Sequence, residues 1–250
     1  MRKLTLDRIL QSQGFGTRKA CRALIREGAV TIGGDVVTEF DTALDTGGLT
    51  FKVHGEPWAY HAQLYLALNK PPGYECSRKP SHHPGVLSLL PEQFSWRETQ
   101  PVGRLDHDTT GLLLLSDDGA FIHAHTSPKR QVPKIYVATT RDPVAPSLVA
   151  QLLEGVQLDD EPAPIAVQGC RQVDTHRLEI VLIQGKYHQV KRMLAAAGNH
   201  CAALHRSAIG NLALYDLKLG EGEWCHLDAT QRAMVAQATG RNGPGGILPG

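Results

Sequence analysis

Residues Gly103 to Gly119 read GRLDHDTTGLLLLSDDG. A polar loop holding Arg104, Asp106, Asp108, Thr109 and Thr110 runs straight into four leucines, and an Asp-Asp-Gly signal closes the run. So short an apolar stretch predicts a strand buried on both faces. The loop then lies at the mouth of a rigid element, where a side chain can be aimed accurately. Asp and Thr also build ordinary strand-entry turns, so residue types alone leave the role of this loop open.

The remaining composition sets limits. The chain has 250 residues, 42% hydrophobic and 20% charged, which is enough for a packed core in one large or two unequal domains. Five scattered cysteines without a C-x-x-C pair argue against a disulfide framework and against a zinc site. No run approaches the ~18 apolar residues of a membrane span. The opening Met-Arg-Lys-Leu-Thr-Leu-Asp has no signal-peptide core, so a reduced cytoplasmic location is expected. The net charge of +1 is unevenly spread: residues 1–30 carry seven basic groups against two acidic ones. A basic N-terminal module on a mildly acidic body is the asymmetry of an RNA binder.

That module reads as two helices and a hairpin. Leu6, Ile9 and Leu10 mark a helix over 5–13, ended by Gly14. Thr17 is placed to cap a second helix from Arg18 to about Glu27, with Gly28 after it. Arg18, Arg22 and Arg26 share one face, with Lys19 beside them; Ala20, Cys21, Leu24 and Ile25 form the expected buried side. Gly33-Gly34 turns a hairpin between Val30–Ile32 and Asp35–Thr38. Residues 49–55 read as the module's last strand and turn, which puts a boundary near residue 60.

Beyond it, an apolar strand from Leu64 ends in Asn69-Lys70-Pro71-Pro72-Gly73, and residues 77–100 read as a long loop. Lys134 to Ala138 reads as a strand, residues 144–160 as a helix and loop, and Arg177 to Ile183 as another strand. GKYHQVKRM, residues 185–193, opens a helix with basic residues at its front. This conflicts with the helix dipole: either an anion lies nearby, phosphate or carboxylate, or these residues simply extend into water. Residues 201–227 read as closing strands, a short helix follows Thr230, and the Gly/Pro-rich tail 237–250 is expected to be disordered.

Three stretches together, GRLDHDTTGLLLLSDDG, ALNKPPGYECS and GKYHQVKRMLAAAGNH, resemble the S4-domain pseudouridine synthases of ribosomal RNA, in the small-subunit branch. GFGTRKACRALIREGAVTIGG resembles the S4 RNA-binding module. The resemblance implies an α+β fold: an S4 domain over 1–60, then a catalytic domain over 61–236 with a mixed, mainly antiparallel sheet flanked by helices. It implies that Asp106 is the essential carboxylate, that Tyr136 stacks on the target base, and that Lys191 pairs with Asp106. Many relatives have Arg at the position of Lys191, and a lysine offers a point charge in place of a fork. Arg192 is its neighbour and the alternative partner. Arg18, Lys19, Arg22, Arg26, Arg104 and Arg192 are the expected RNA contacts, and Lys70 is expected to contact either RNA or the backbone.

The implied reaction breaks the uridine N1–C1′ bond, turns the base and rejoins it through C5. It needs no redox group, and the sequence offers no dinucleotide motif, phosphate loop or metal set. No cofactor or metal is expected. An ordinary aspartate is ionised at pH 7, and a nearby cation protects that state against desolvation. The expected substrate is 16S (small-subunit) rRNA, naked or partly assembled, acted on by a monomer away from any membrane. The other readings are a large-subunit (23S) synthase of the same fold, a non-catalytic S4-type assembly factor, and a metal-dependent hydrolase built on His107, Asp108 and His123. Asp108 is expected to do no more than local hydrogen bonding.

Overall fold

The computed structural model describes residues 3–236. The tail expected over 237–250 lies outside the described residues. The chain forms two units: Met1–Leu64 with Leu87–Gln100, and Tyr65–Val86 with the residues from Pro101 onward. The segment 87–100, expected as part of a loop, therefore returns to the first unit. It contains a short helix, Glu92–Trp96.

In the first unit the helices Leu6–Ser12 and Arg18–Arg26 pack together. Leu6, Ile9 and Leu10 are buried against Cys21, Ile25 and Phe51. Ala20 is exposed, so the buried side of the second helix is narrower than its pattern suggests. Thr17 caps that helix by accepting a hydrogen bond from the Ala20 N–H at 3.2 Å. A four-stranded sheet includes the hairpin Val30–Ile32 and Asp35–Val36, then Thr50–Val53 and a further strand, Glu56–Ala59.

The helix Glu92–Trp96 belongs here for visible reasons. Phe94 meets the Trp58 ring edge-on at 5.7 Å. Arg97 donates to the Gln13 side-chain oxygen at 3.0 Å and to the His61 carbonyl at 2.9 Å. Gly14 admits this packing: its φ is +87°, and a Cβ there would lie 2.0 Å from the Gln93 carbonyl oxygen.

The second unit is built on a nine-stranded sheet. Its main path runs Gly169–Gln172, Arg177–Leu182, Lys134–Thr140, Cys201–Ile209, Thr110–Ser116, Tyr65–Lys70 and Trp224–His226. Cys201–Ile209 and Thr110–Ser116 are parallel; the other pairs along this path are antiparallel. The sheet is mixed and mainly antiparallel, and the α+β architecture is as expected. Leu112 to Leu115 are all buried, in agreement with a strand covered on both faces. The helix expected from Lys186 starts at Gln189 instead, because His188 takes a left-handed turn, φ 46° and ψ 35°. All five cysteines are unpaired. Among the described residues, no helix is long and apolar enough to cross a membrane.

Candidate active site

The loop before Thr110–Ser116 is held by the turn that follows Tyr65–Lys70. Lys70 is fully buried. Its ammonium donates to the carbonyls of Pro71 at 2.9 Å, His107 at 3.0 Å and Thr109 at 2.9 Å. The Gly73 N–H also donates to the His107 carbonyl, at 2.8 Å. The Leu105 N–H donates to the sulfur of the buried Cys76 at 3.4 Å. Asp106 is thus flanked by backbone that three separate groups fix. Of the two roles expected of Lys70, RNA contact or backbone contact, the second is present: its charge is used on carbonyls inside the protein. Burial pulls its pKa below the usual lysine value, against the attraction of Asp108 and Asp106.

Helix Gln189–Ala196 supplies the cation. Lys191 Nζ lies 3.2 Å from Asp106 Oδ2 and 2.6 Å from Asp108 Oδ1. One ammonium therefore serves two carboxylates, and Asp108 does more than the local turn bonding expected of it. Burial opposes the charge on both partners. The contact outweighs it, holding Asp108 below the usual carboxylate value and pushing Lys191 above the usual lysine value. Arg192 is not the alternative partner: it pairs with Asp160 and donates to the Tyr187 carbonyl at 3.2 Å. Lys186 pairs with Glu161. The anions demanded by this basic stretch are carboxylates of the protein itself.

Sequence reasoning missed two neighbours. His188 Nε2 lies 3.3 Å from Asp106 Oδ1, so the carboxylate has a nitrogen on each oxygen. Its left-handed backbone gave no signal in a run read as helix. Arg206 is the other: it is 1% exposed, and its Nε donates to the Leu112 carbonyl at 2.7 Å. Its Nη2 has no hydrogen-bond partner among the described residues. An arginine between Leu204 and Ile209 in a strand was the available sign of a buried charge.

Tyr136, Arg206 and Gly111 lie opposite one another on three adjacent strands. Tyr136 is 8% exposed, and the Arg206 guanidinium carbon is 6.0 Å from its ring centre. Gly111 has φ +99°, and a Cβ there would come within 2.4 Å of the Arg206 carbonyl oxygen. Only glycine lets these strands approach directly after the Asp106 loop. Arg104 is exposed beside Leu105 and Asp106. His107 stacks on His83 with ring centres 4.5 Å apart. Among the described residues no group of three His, Cys, Asp or Glu is placed to hold a metal ion.

In the first unit, Arg18 and Arg22 each direct Nε to Asp7 Oδ2 at 2.8 Å. The Asp7 side chain is inaccessible. Burial alone would raise its pKa; the hydrogen bonds from Thr5, Arg18 and Arg22 prevail and hold it far below the usual value. Arg22 and Arg26 lie over the Phe40 ring, at 4.5 and 5.0 Å from its centre. Arg18, Lys19 and Arg26 are exposed, and Arg22 is half-buried.

Residues 64–196 match the RNA pseudouridylate synthase family, and residues 4–47 match the S4 domain. The ribosomal small subunit pseudouridine synthase A of Escherichia coli K12 is 37% identical over 241 residues, covering 93% of this chain and all of that protein. An uncharacterized RNA pseudouridine synthase of Bacillus subtilis is 34% identical over 229 residues, covering 90% of this chain and 95% of that protein. A crystal structure of a pseudouridylate synthase superposes with a TM-score of 0.65 at 33% identity, covering 93% of this chain and 99% of that one. The fold, the matched segments and these relatives establish that the chain belongs to the RNA pseudouridine synthase family and carries an S4 domain ahead of its synthase domain.

Proposed function

We propose that the protein isomerises one uridine of small-subunit ribosomal RNA to pseudouridine, with Asp106 as the reacting group. The observation that carries this reading is the Asp106 carboxylate set between Lys191 and His188, on a loop clamped by Lys70. A carboxylate so held is oriented before substrate arrives, with the Lys191 ammonium against one of its oxygens. Asp106 acts on the ribose of an extruded nucleotide, as nucleophile at C1′ or as base at C2′. The N1–C1′ bond breaks and a C5–C1′ bond forms; the C5 proton is lost and N1 gains one, so nothing is consumed. Tyr136 stacks on the uracil and assists removal of the C5 proton. Arg104 wedges where the base leaves.

Arg18, Lys19, Arg22 and Arg26 grip phosphates. With Nε of Arg18 and Arg22 committed to Asp7, their terminal nitrogens remain for RNA. Such contacts give affinity and salt dependence but little sequence choice. The S4 domain takes 1–60 and the synthase domain 61–236, apart from residues 87–100, which return to the first unit. The protein works as a monomer in the cytoplasm, on naked or partly assembled RNA.

The test is a pseudouridine map of both ribosomal RNAs in cells with and without the protein. The proposal expects one site to vanish, in small-subunit rRNA. Loss of a large-subunit site makes the protein a synthase for that subunit. An unchanged map, with retained binding to RNA, leaves a non-catalytic assembly factor.

A further inference from the structure

Beside Asp106 lies an aromatic pair of which the reaction, as described, uses only one member, His188. The Tyr187 and His188 rings are stacked, with centres 3.9 Å apart and planes at 19°. His188 reaches Asp106 through Nε2, yet Tyr187 is 74% exposed. One face of the tyrosine ring is covered by the imidazole and the other is left to solvent.

The presentation is fixed by the protein. His188 sits in the left-handed region, where a residue with a side chain is uncommon and strained. Arg192 holds the Tyr187 carbonyl at 3.2 Å, and the Lys186–Glu161 and Arg192–Asp160 pairs anchor the segment on both sides. A strained turn, three polar ties and an open apolar ring make a platform with no occupant among the described residues.

We propose that the open face of Tyr187 is a nucleobase-stacking site, receiving the base next to the target uridine. This rests on the reading that the uridine reacts at Asp106. Turning a nucleotide out of its stack costs the stacking of its neighbours, and an aromatic side chain replaces what the flanking base loses. The order Asp106–His188–Tyr187 places that ring one imidazole away from the reacting carboxylate. The ligand class is an RNA base, taken by its flat face, so the site tolerates any of the four bases.

The test uses the full chain and the rRNA fragment that contains the mapped uridine, with 2-aminopurine at either flanking position. Equilibrium fluorescence reports stacking, and pseudouridine formation is scored in the same reactions. The wild-type protein changes the fluorescence at one flanking position. Tyr187→Ala abolishes that change and weakens binding on the order of tenfold. Tyr187→Phe and Tyr187→Trp keep both. An abasic residue at that position brings wild-type and Tyr187→Ala binding together. The proposal is overturned if Tyr187→Ala gives the wild-type signal. It is equally overturned if the alanine defect persists undiminished on abasic RNA, since Tyr187 then acts only by holding His188. Absence of pseudouridine with the wild-type protein counts against the proposed reaction, while the fluorescence still decides the stacking site.

Discussion

The Lys191 ammonium lies 3.2 Å from the Asp106 carboxylate and closer still, 2.6 Å, to that of Asp108. The cation is shared, and this makes its removal worse than the loss of one contact. Without it, two carboxylates of one loop lose their shared counter-charge at once. Lys191→Met is expected to lower single-turnover pseudouridine formation by about a hundredfold or more, measured on an rRNA fragment at saturating enzyme. Lys191→Arg retains most activity, since a fork serves two acceptors as well as a point charge does. Asp108→Asn leaves Lys191 to Asp106 alone and reduces the rate less than loss of Lys191 does.

The same pair gives a pH dependence with a definite sign. The Asp108 pKa is held below 3.8 by the lysine, so the pair's stabilisation is present above that value and is lost as pH falls through the lowered one. The Lys191 pKa is pushed above 10.5, so its contribution holds below that value and is lost as pH rises through the raised one. Denaturant melts of wild type and Asp108→Asn should differ by the same amount from about pH 5 to 9. They should converge at the acid end.

Lys70 is expected to fail as a structural residue and as an indirect catalytic one. Lys70→Met strips three carbonyls of a charged donor and costs on the order of 3–5 kcal/mol. The Asp106 loop loses its clamp, so activity falls by more than binding of RNA does. Thermal unfolding together with a KM-against-kcat comparison checks both parts. A variant with wild-type stability would contradict the clamp.

In the S4 unit, Asp7 is a hub. Replacing Arg18 or Arg22 alone leaves it one guanidinium; replacing both leaves a buried carboxylate unpaired. The double variant Arg18→Met/Arg22→Met should therefore lose clearly more stability than the sum of the singles. Asp7→Asn is expected to cost about 1.5–3 kcal/mol near neutral pH, with the gap closing only in strong acid, as the lowered pKa of Asp7 requires. Denaturant titration of the four variants measures it.

Much of this was legible from periodicity and turn chemistry. The four leucines, the Thr17 cap and the glycine hairpin are local features, and local features survive folding. The partner of Arg18 and Arg22 is Asp7 on the other helix, which the pattern of their own helix does not reveal. The segment 87–100 looked like loop because what fixes it is packing of Phe94 and Arg97 onto distant residues. Lys70 in an Asn-Lys-Pro-Pro-Gly turn looks exposed, and only the folded chain brings the His107 and Thr109 carbonyls to its ammonium. Basic residues at a helix front left an anion or plain solvent open, and the fold decides for carboxylates: Asp106 and Asp108, Asp160 and Glu161 answer Lys191, Arg192 and Lys186.

The most direct measurement replaces a single oxygen. Asp106→Asn keeps the size of the side chain and removes its charge. Purified wild-type and variant protein are incubated with small-subunit rRNA, and pseudouridine is read by primer extension after carbodiimide treatment. A stop is expected at one position with the wild type and none with the variant, while both still bind the RNA. A stop of equal strength with Asp106→Asn would contradict Asp106 as the reacting group.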